Sequence, residues 1–271
     1  MNADKNTILN KYQLIEEIGR GSFSTIYKAK DIYTNKYCAI KIEPKNEDPS
    51  QGQPPVPFIV REAHIHNRLR DLIVIPNLLW FGVDSTHNLY CMILPLLMGT
   101  FRGVSCLLDT EENCSRWLQI GQQMLWSVQA LHQKGYIHRD IKPDNFMYDD
   151  KGKVYLIDLG LCKQWIRNGT HIVPTRPRTG VIGTINYISV NVHNLIEPSR
   201  RDDVESVCYV LWKLCGGLDW DAPDNDMDLS TIRDCKIKLT SNPGVPIELL
   251  RLLRKTRMLE YTEEPRYDFG N

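Results

Sequence analysis

The sequence predicts an α+β fold in two unequal parts: a small antiparallel β-sheet with one main helix, then a larger, mainly helical part. Three observations predict it. Strand-like text runs from Tyr12 to Glu43 and returns at LYCMILPLL, residues 89–97; the composition changes after Pro95; and helical patterns dominate the remainder of the chain. One domain is expected over residues 1–271, with a first lobe at about 12–94, a connection at 95–97 and a second lobe at about 98–271. A cleft is expected where the two halves join.

The first strands are YQLIEEI, STIYKAKDI and KYCAIKIE, whose alternating or β-branched apolar residues are separated by Gly-rich and Asn-Lys turns. Between Pro44 and Pro57 five prolines mixed with Asn, Asp, Gln and Gly predict an exposed connection without regular structure. FIVREAHIHNRLRDL has helical composition and places Val60, Ala63 and Ile65 near one side. SRWLQIGQQMLWSVQALHQKG carries a stripe of Leu118, Gly121, Leu125, Val128 and Leu131, with Lys134 and Gly135 as its stop. SRRDDVESVCYVLWKLCGG is apolar on most sides after a charged start, as a buried helix would be, and IELLRLLRKTRML is a last amphipathic helix.

Thirty-three basic and 33 acidic side chains cancel, which removes the electrostatic argument for nucleic acid or a membrane surface as a partner. The longest apolar run, CMILPLLM, is too short to span a bilayer. Eight cysteines, Cys106 among them, show no zinc-type spacing and follow no secretory signal, so reduced thiols in a cytoplasmic or nuclear protein are expected. A monomer is the expected state, and with no long tail in the sequence, regulation is expected to act through the domain or its partners.

Chemistry concentrates in four places. IGRGSFSTIY, residues 18–27, lies between two strands; Gly19 and Gly21 would let backbone approach a phosphate, although Ser24 stands where a third glycine completes the usual pattern and an ordinary glycine hairpin reads equally well. In CAIK, Lys41 ends a strand, placed either to pair with ATP phosphates or simply to face solvent. Glu62 on the next helix is the natural carboxylate to hold it; Glu43 is too near, and Glu47 falls in the connection. In HRDIKPDN, Asp140 can accept the proton of an attacking hydroxyl, Lys142 can neutralise charge on a transferred phosphoryl group, and Asn145 can ligate magnesium together with Asp158, which lies beyond the YDDKGK hairpin turn. Asp149 and Asp150 in that turn read as a solvated tip.

Taken together, GxGxxS at 19–24, CAIK, Glu62, HRDIKPDN, Asp158-Leu159-Gly160 and GTINY at 183–187 resemble a eukaryotic protein kinase over nearly the whole length. That resemblance implies a two-lobed kinase fold, ATP and Mg2+ as cofactors, Thr184 bracing Asp140, and Asp203 anchoring the buried helix to the loop that carries Asp140. It also implies Ile18, Gly19, Gly21, Ser22 and Ser24 over the nucleotide, and apolar walls from Ile26, Ala39, Leu94 and Met147 around adenine. Pro95 would offer its carbonyl and Leu97 its N–H. Lys142 within KPDN resembles serine/threonine kinases, so protein substrates bearing Ser or Thr hydroxyls are implied, acidic ones among the candidates.

Ser189-Val190-Asn191, where most kinases have Ala-Pro-Glu, and EPSRRDDVES after it resemble the casein kinase 1 superfamily, which includes the vaccinia-related and tau-tubulin kinases. Against that pattern Leu159 replaces a Phe, His66 takes an apolar position in the internal stack, Cys208 replaces a Gly, and Asn186 stands where an Arg helps bind a phosphate already on the substrate. A strict requirement for phosphate-primed substrates is therefore not expected. Arg176 and Arg178 either lend positive charge near the substrate or are solvated, and Thr170, Thr175 and Thr179 are candidate modification sites. The competing reading is a pseudokinase, a nucleotide-binding scaffold whose fold serves protein contacts.

Overall fold

The computed structural model describes residues 7–21, 23–45, 56–104, 111–174, 176, 178–216, 218–221, 227–239 and 245–270. Ser22, Glu47, Cys106, Thr175 and most of the proline-rich connection lie outside the described residues. The chain forms two compact units, residues 1–98 with 158–160, and residues 99–157 with 161–271. Among the described residues, no helix is long and apolar enough to cross a membrane.

The first unit is a six-stranded sheet and one helix. Strands β1 (Thr7–Ile8), β2 (Tyr12–Arg20), β3 (Thr25–Asp31), β4 (Tyr37–Pro44), β5 (Trp80–Asp84) and β6 (Leu89–Pro95) lie in the order β1-β2-β3-β4-β6-β5, and every pairing is antiparallel. Successive side chains of a strand face opposite ways, which divides β4 between two surfaces. Cys38 and Ile40 turn to a cluster with Ala29, Cys91, Ile93 and Ile8. Ala39 and Lys41 turn to the other face. There the register pairs Lys41 with Ile26 and Met92, and Ala39 with Leu94.

Helix α1 (Phe58–Arg68) packs Ile59 and Ala63 on Met92 of that second face. Its buried stripe is Ile59, Glu62, Ala63 and His66, at i, i+3, i+4 and i+7; of the expected Val60, Ala63 and Ile65, Ala63 lies in it, Val60 packs partly buried beside it, and Ile65 is half-buried. Counting only apolar residues shifts the stripe, because two of the buried positions are a carboxylate and an imidazole. Pro57 precedes the helix and supplies no side-chain cap. Glu43 of β4 does so from outside, accepting the Ile59 N–H at 2.9 Å. Glu43→Ala should therefore lower stability by about 1 kcal/mol in urea unfolding, the usual worth of a capping acceptor. A change too small to measure would mean that water replaces the carboxylate.

The second unit is mainly helical. It contains β7 (Gly99–Thr100), α2 (Glu111–Gln133), β8 (Tyr136–Ile137), β9 (Phe146–Tyr148), β10 (Val154–Leu156), β11 (Lys163–Gln164), β12 (Ile166–Arg167) and β13 (Thr170–His171). Helices α3 (Val190–His193), α4 (Arg200–Gly216), α5 (Leu229–Lys238) and α6 (Ile247–Arg257) complete it. Along α2 the buried side is Trp117, Gly121, Met124, Leu125, Val128 and Leu131; Leu118 is exposed, so the stripe begins one residue before the expected position. The indole of Trp117 donates to the Leu211 carbonyl of α4 at 3.2 Å. This contact explains the register: a Trp that can bury both ring and N–H outcompetes a Leu beside it. The expected stop is present, with Gly135 at φ +85° just past the helix end.

Helix α4 is buried on nearly every side, as its apolar text predicts, and α6 lays Leu249, Leu250, Leu252 and Leu253 into the same core. The β9–β10 hairpin is tied at its tip by Asp149, which accepts the N–H groups of Lys151 and Lys153 and the Tyr155 hydroxyl. The expected solvated tip is thus a turn built around one carboxylate, while Asp150 is exposed.

Candidate active site

In the first unit the Lys41 ammonium sits 2.6 Å from Glu62 and 3.3 Å from Asp158. Side-chain exposures of 13% for Lys41 and 3% for Glu62 make this a buried pair, whereas Asp158, at 43%, reaches solvent. Burial works against the charge on Lys41, but attraction to Glu62 and Asp158 outweighs it and raises its pKa. Burial raises the pKa of Glu62, opposed by the Lys41 charge and by the Leu159 backbone N–H near it. Asp158 holds φ at +59°, a left-handed conformation rarely adopted outside glycine and Asx residues.

The glycine turn lies at the end of the same sheet. Gly19 pairs with Ile26, and the Gly21 N–H donates to the Ser24 carbonyl at 2.8 Å. Neither glycine has a positive φ, and a Cβ at either would meet its neighbours no closer than 3.6 Å. The protein's own packing therefore does not require these glycines, and what they leave open is room beside bare backbone, the form a phosphate cradle takes. Ile18 is exposed and Ile26, Ala39 and Leu94 half-buried, all in this unit with Pro95 and Leu97, which lie at and just past the end of β6.

In the second unit Asp140 is the hub. Its Oδ1 accepts the Thr184 hydroxyl at 2.7 Å; its Oδ2 lies 2.8 Å from the Lys142 ammonium and accepts the Asn145 amide at 3.1 Å. The same Asn145 nitrogen donates to the Asp140 carbonyl at 2.8 Å, so the amide oxygen is turned away from Asp140. Met147, half-buried on β9, pairs with Tyr155 and Thr100.

Asp203 supports this loop from α4. Its carboxylate accepts the N–H groups of His138 at 2.6 Å and Arg139 at 2.9 Å, and contacts His132 Nε2 at 2.8 Å. Burial alone would raise its pKa, but hydrogen bonds from His132 and the loop hold the carboxyl below its usual range. The expected anchoring by Asp203 is present in this geometry. The bonds also hold Arg139 at φ +70°, a strained value for a long side chain. Gly183, at φ +95°, passes so close that a Cβ would sit 2.5 Å from the Arg139 carbonyl, which is why a glycine precedes Thr184.

Residues 12–267 match a family model described as the protein kinase domain. The chain belongs to the protein kinase family. Among solved structures, one titled "Structure of vaccinia related kinase 3" is similar, with a TM-score of 0.72 and 22% identity, covering 98% of this chain and 88% of that one. The kinase fold is therefore shared: an antiparallel-sheet unit and a helical unit, each carrying its own motif residues.

In this kinase the departures read from the sequence have distinct physical consequences. Leu159 is fully buried. His66 is buried too, and neither ring nitrogen makes a well-formed hydrogen bond, although the Pro76 backbone stands near it. Burial and the nearby Lys41 charge push its pKa down to about 4. Because the unfolded chain takes up a proton near pH 6.5 and the folded one only near pH 4, stability contributed by neutral His66 is lost as pH falls through that window. His66→Leu should flatten the acid limb of the stability curve by up to about 3 kcal/mol, read from denaturant midpoints between pH 7 and 4. An unchanged limb would exclude His66 as the titrating group.

Asn186 is committed to the fold, donating to Asp221 at 2.6 Å, and Tyr187 donates to the same carboxylate at 3.0 Å. Arg178 is not solvated, contrary to one of the two expectations for it. It lies 2.9 Å from Glu197, 19% exposed, and Lys163 reaches the same carboxylate at 2.7 Å. Arg176, Thr170 and Thr179 are exposed.

Several residues of consequence are not evident from the sequence. Glu197 reads there as no more than part of a motif, yet it gathers Lys163 and Arg178. Asp202 accepts from Ser189, Asn191 and the Ser199 N–H, and burial raises its pKa to about 6. Glu205 joins Arg257 at 3.0 Å and the Tyr209 hydroxyl at 2.6 Å. The available signal is the unusual run of charges opening an otherwise apolar helix, since acids retained in buried text need partners.

Proposed function

We propose that this kinase is catalytically active, transferring the γ-phosphoryl group of ATP, with magnesium, to Ser and Thr hydroxyls of protein substrates, and that it is of the casein kinase 1 type. The observation that carries the reading is the set of donors around Asp140. An ionised carboxylate offers about four acceptor sites; Thr184 and Asn145 take one on each oxygen by hydrogen bond, and the Lys142 ammonium pairs with Oδ2. The carboxylate is thus fixed in orientation while acceptor capacity remains for the proton of an attacking hydroxyl.

Each remaining group has a role in that reading. Lys142 lies against Asp140, where its charge also meets the phosphoryl group in transfer. Lys41, held by Glu62, would orient ATP, and Gly19 and Gly21 leave backbone open to its phosphates, with Ile18 and Ser24 beside them. In that reading Ile26, Ala39 and Leu94 of the first unit, with Met147 of the second, would line adenine, and Pro95 and Leu97 would meet its polar edge. Asn145 and Asp158 would hold magnesium. Among the described residues no cluster of three or more His, Cys, Asp or Glu could hold a metal by itself, which agrees with an ion bound through few protein ligands and completed by phosphate and water oxygens. Magnesium-ATP, when bound, supplies the phosphoryl group and the cation that neutralises its oxygens.

The casein kinase 1 assignment rests on Ser189-Val190-Asn191 with EPSRRDDVES, and the fold shared with vaccinia related kinase 3 supports it. Lys142 in KPDN supports Ser/Thr specificity, and exposed Arg176 suits acidic substrates. Buried, unbridged Cys38, Cys91 and Cys208 suit a protein of the cytoplasm or nucleus.

The test is transfer of labelled phosphate from ATP to casein and to the kinase itself, with and without magnesium, together with phosphoamino-acid analysis. Magnesium-dependent label on Ser or Thr is expected. ATP binding without any transfer would establish the scaffold reading instead.

A further inference from the structure

Lys236 on α5 is fully buried, yet it has no carboxylate in ion-pair contact among the described residues. Its three donors are all used. Nζ donates to the Ile185 carbonyl at 2.8 Å and the Ile188 carbonyl at 2.8 Å, and meets His193 Nε2 at 3.1 Å. Two aromatic faces complete the surroundings, Tyr209 at 4.8 Å and Trp220 at 5.7 Å from ring centre to nitrogen. The nearest acid by charge, Glu205, is already engaged by Arg257 and Tyr209.

Such a placement is costly. Burial, eased by Glu205 and worsened by Arg257, pushes the pKa of Lys236 down to about 7. An apolar side chain of the same length would suit this core better. What the ammonium holds accounts for its presence. Ile185 and Ile188 lie in the turn that begins at Thr184, whose carbonyl accepts the N–H groups of Tyr187 and Ile188 at 2.8 and 3.0 Å. The hydroxyl of that same Thr184 donates to Asp140. Asp221 also holds this turn, taking Asn186 and Tyr187, and the Trp220 indole donates to the Asn186 carbonyl at 3.0 Å.

We propose that Lys236 is a positioning residue for phosphoryl transfer: its ammonium clamps the carbonyls at 185 and 188 and so keeps the Thr184 hydroxyl against Asp140. It touches no substrate, and its effect passes entirely through Thr184. The inference rests on the activity proposed for Asp140, and its structural half is tested independently of that activity.

The decisive measurement is a double-mutant cycle on kcat with Lys236→Met and Thr184→Ala, alongside Lys236→Arg. Lys236→Met should lower kcat by roughly tenfold with the KM for ATP unchanged, and Lys236→Arg, which keeps the charge and donors, should restore part of it. In the Thr184→Ala background Lys236→Met should add little, because the contact it serves is already gone. Additive losses, or Lys236→Met at full kcat, would overturn the proposal. Amide hydrogen exchange supplies the readout that needs no turnover: the N–H groups of Tyr187 and Ile188 should exchange at least tenfold faster in Lys236→Met, with α2 and α4 unchanged. Unchanged protection there overturns the clamp whether or not the native protein proves active. Should Lys236→Met not fold, Lys236→Arg and Lys236→Gln carry the same comparison, and native-like exchange at 187 and 188 in Lys236→Gln would overturn it equally.

Discussion

Asp140→Asn is expected to reduce phosphate transfer by a factor of about 10² to 10⁴ while leaving the fold intact, the range general-base catalysis usually commands. The substitution is nearly isosteric. Its amide oxygen can still accept from Thr184 or from Lys142, so the local network loses strength without leaving a hole. What it cannot do is accept a proton from a hydroxyl. The comparison to make is kcat, ATP binding and thermal midpoint for the two proteins side by side. Retained transfer would move the base elsewhere, and a collapsed midpoint would show that Asp140 acts first as a structural hub.

Asp203→Ala is expected to cost about 3–5 kcal/mol of stability, the range for removing one partner from a buried charged network. Three groups would lose their acceptor at once: the N–H of His138, the N–H of Arg139 and Nε2 of His132. The positive φ of Arg139 would then lack the bonds that hold it, and the neighbouring Asp140 would lose its fixed position. Transfer should therefore fall together with stability, unlike in Asp140→Asn. Asp203→Asn, which retains one acceptor oxygen, should fall between native and Ala in denaturant unfolding. A loss under about 1 kcal/mol for Asp203→Ala would mean that water enters and replaces the carboxylate. Because Asp203 is held ionised below its usual range, its contribution is present above the unfolded carboxyl pKa and disappears as pH falls through the folded one.

The groups that are legible in the sequence are those whose roles are set by close neighbours in the chain. Asp140, Lys142 and Asn145 meet through one short loop, so their spacing alone carries the geometry. Glu62 is legible because it is the carboxylate on the helix that follows the strand of Lys41. Glu43 is too near Lys41 in sequence to be its partner, and indeed it serves α1. Two residues along β4 it shares the face of the lysine, but it sits under the first turn of the helix and spends its carboxylate on the Ile59 N–H. Lys236 is invisible in CKIK. A lysine on an amphipathic segment is ordinarily solvated, and nothing local reveals that two carbonyls far away in the chain await it. The buried face of α1 is read only in part from sequence for a related reason: Ala63 is found there, but Glu62 and His66 are polar by type and interior by position.

The Lys41 cluster has a consequence that appears when its charges are summed. One ammonium faces two carboxylates, Glu62 at 2.6 Å and Asp158 at 3.3 Å, leaving a formal excess of one negative charge. A bare polyphosphate meets that excess as repulsion, and a divalent counter-ion, which leaves the polyphosphate net negative, lessens the repulsion without reversing it. For the proposed activity, a nucleotide already paired with its cation should therefore meet less repulsion at this cluster than a bare one.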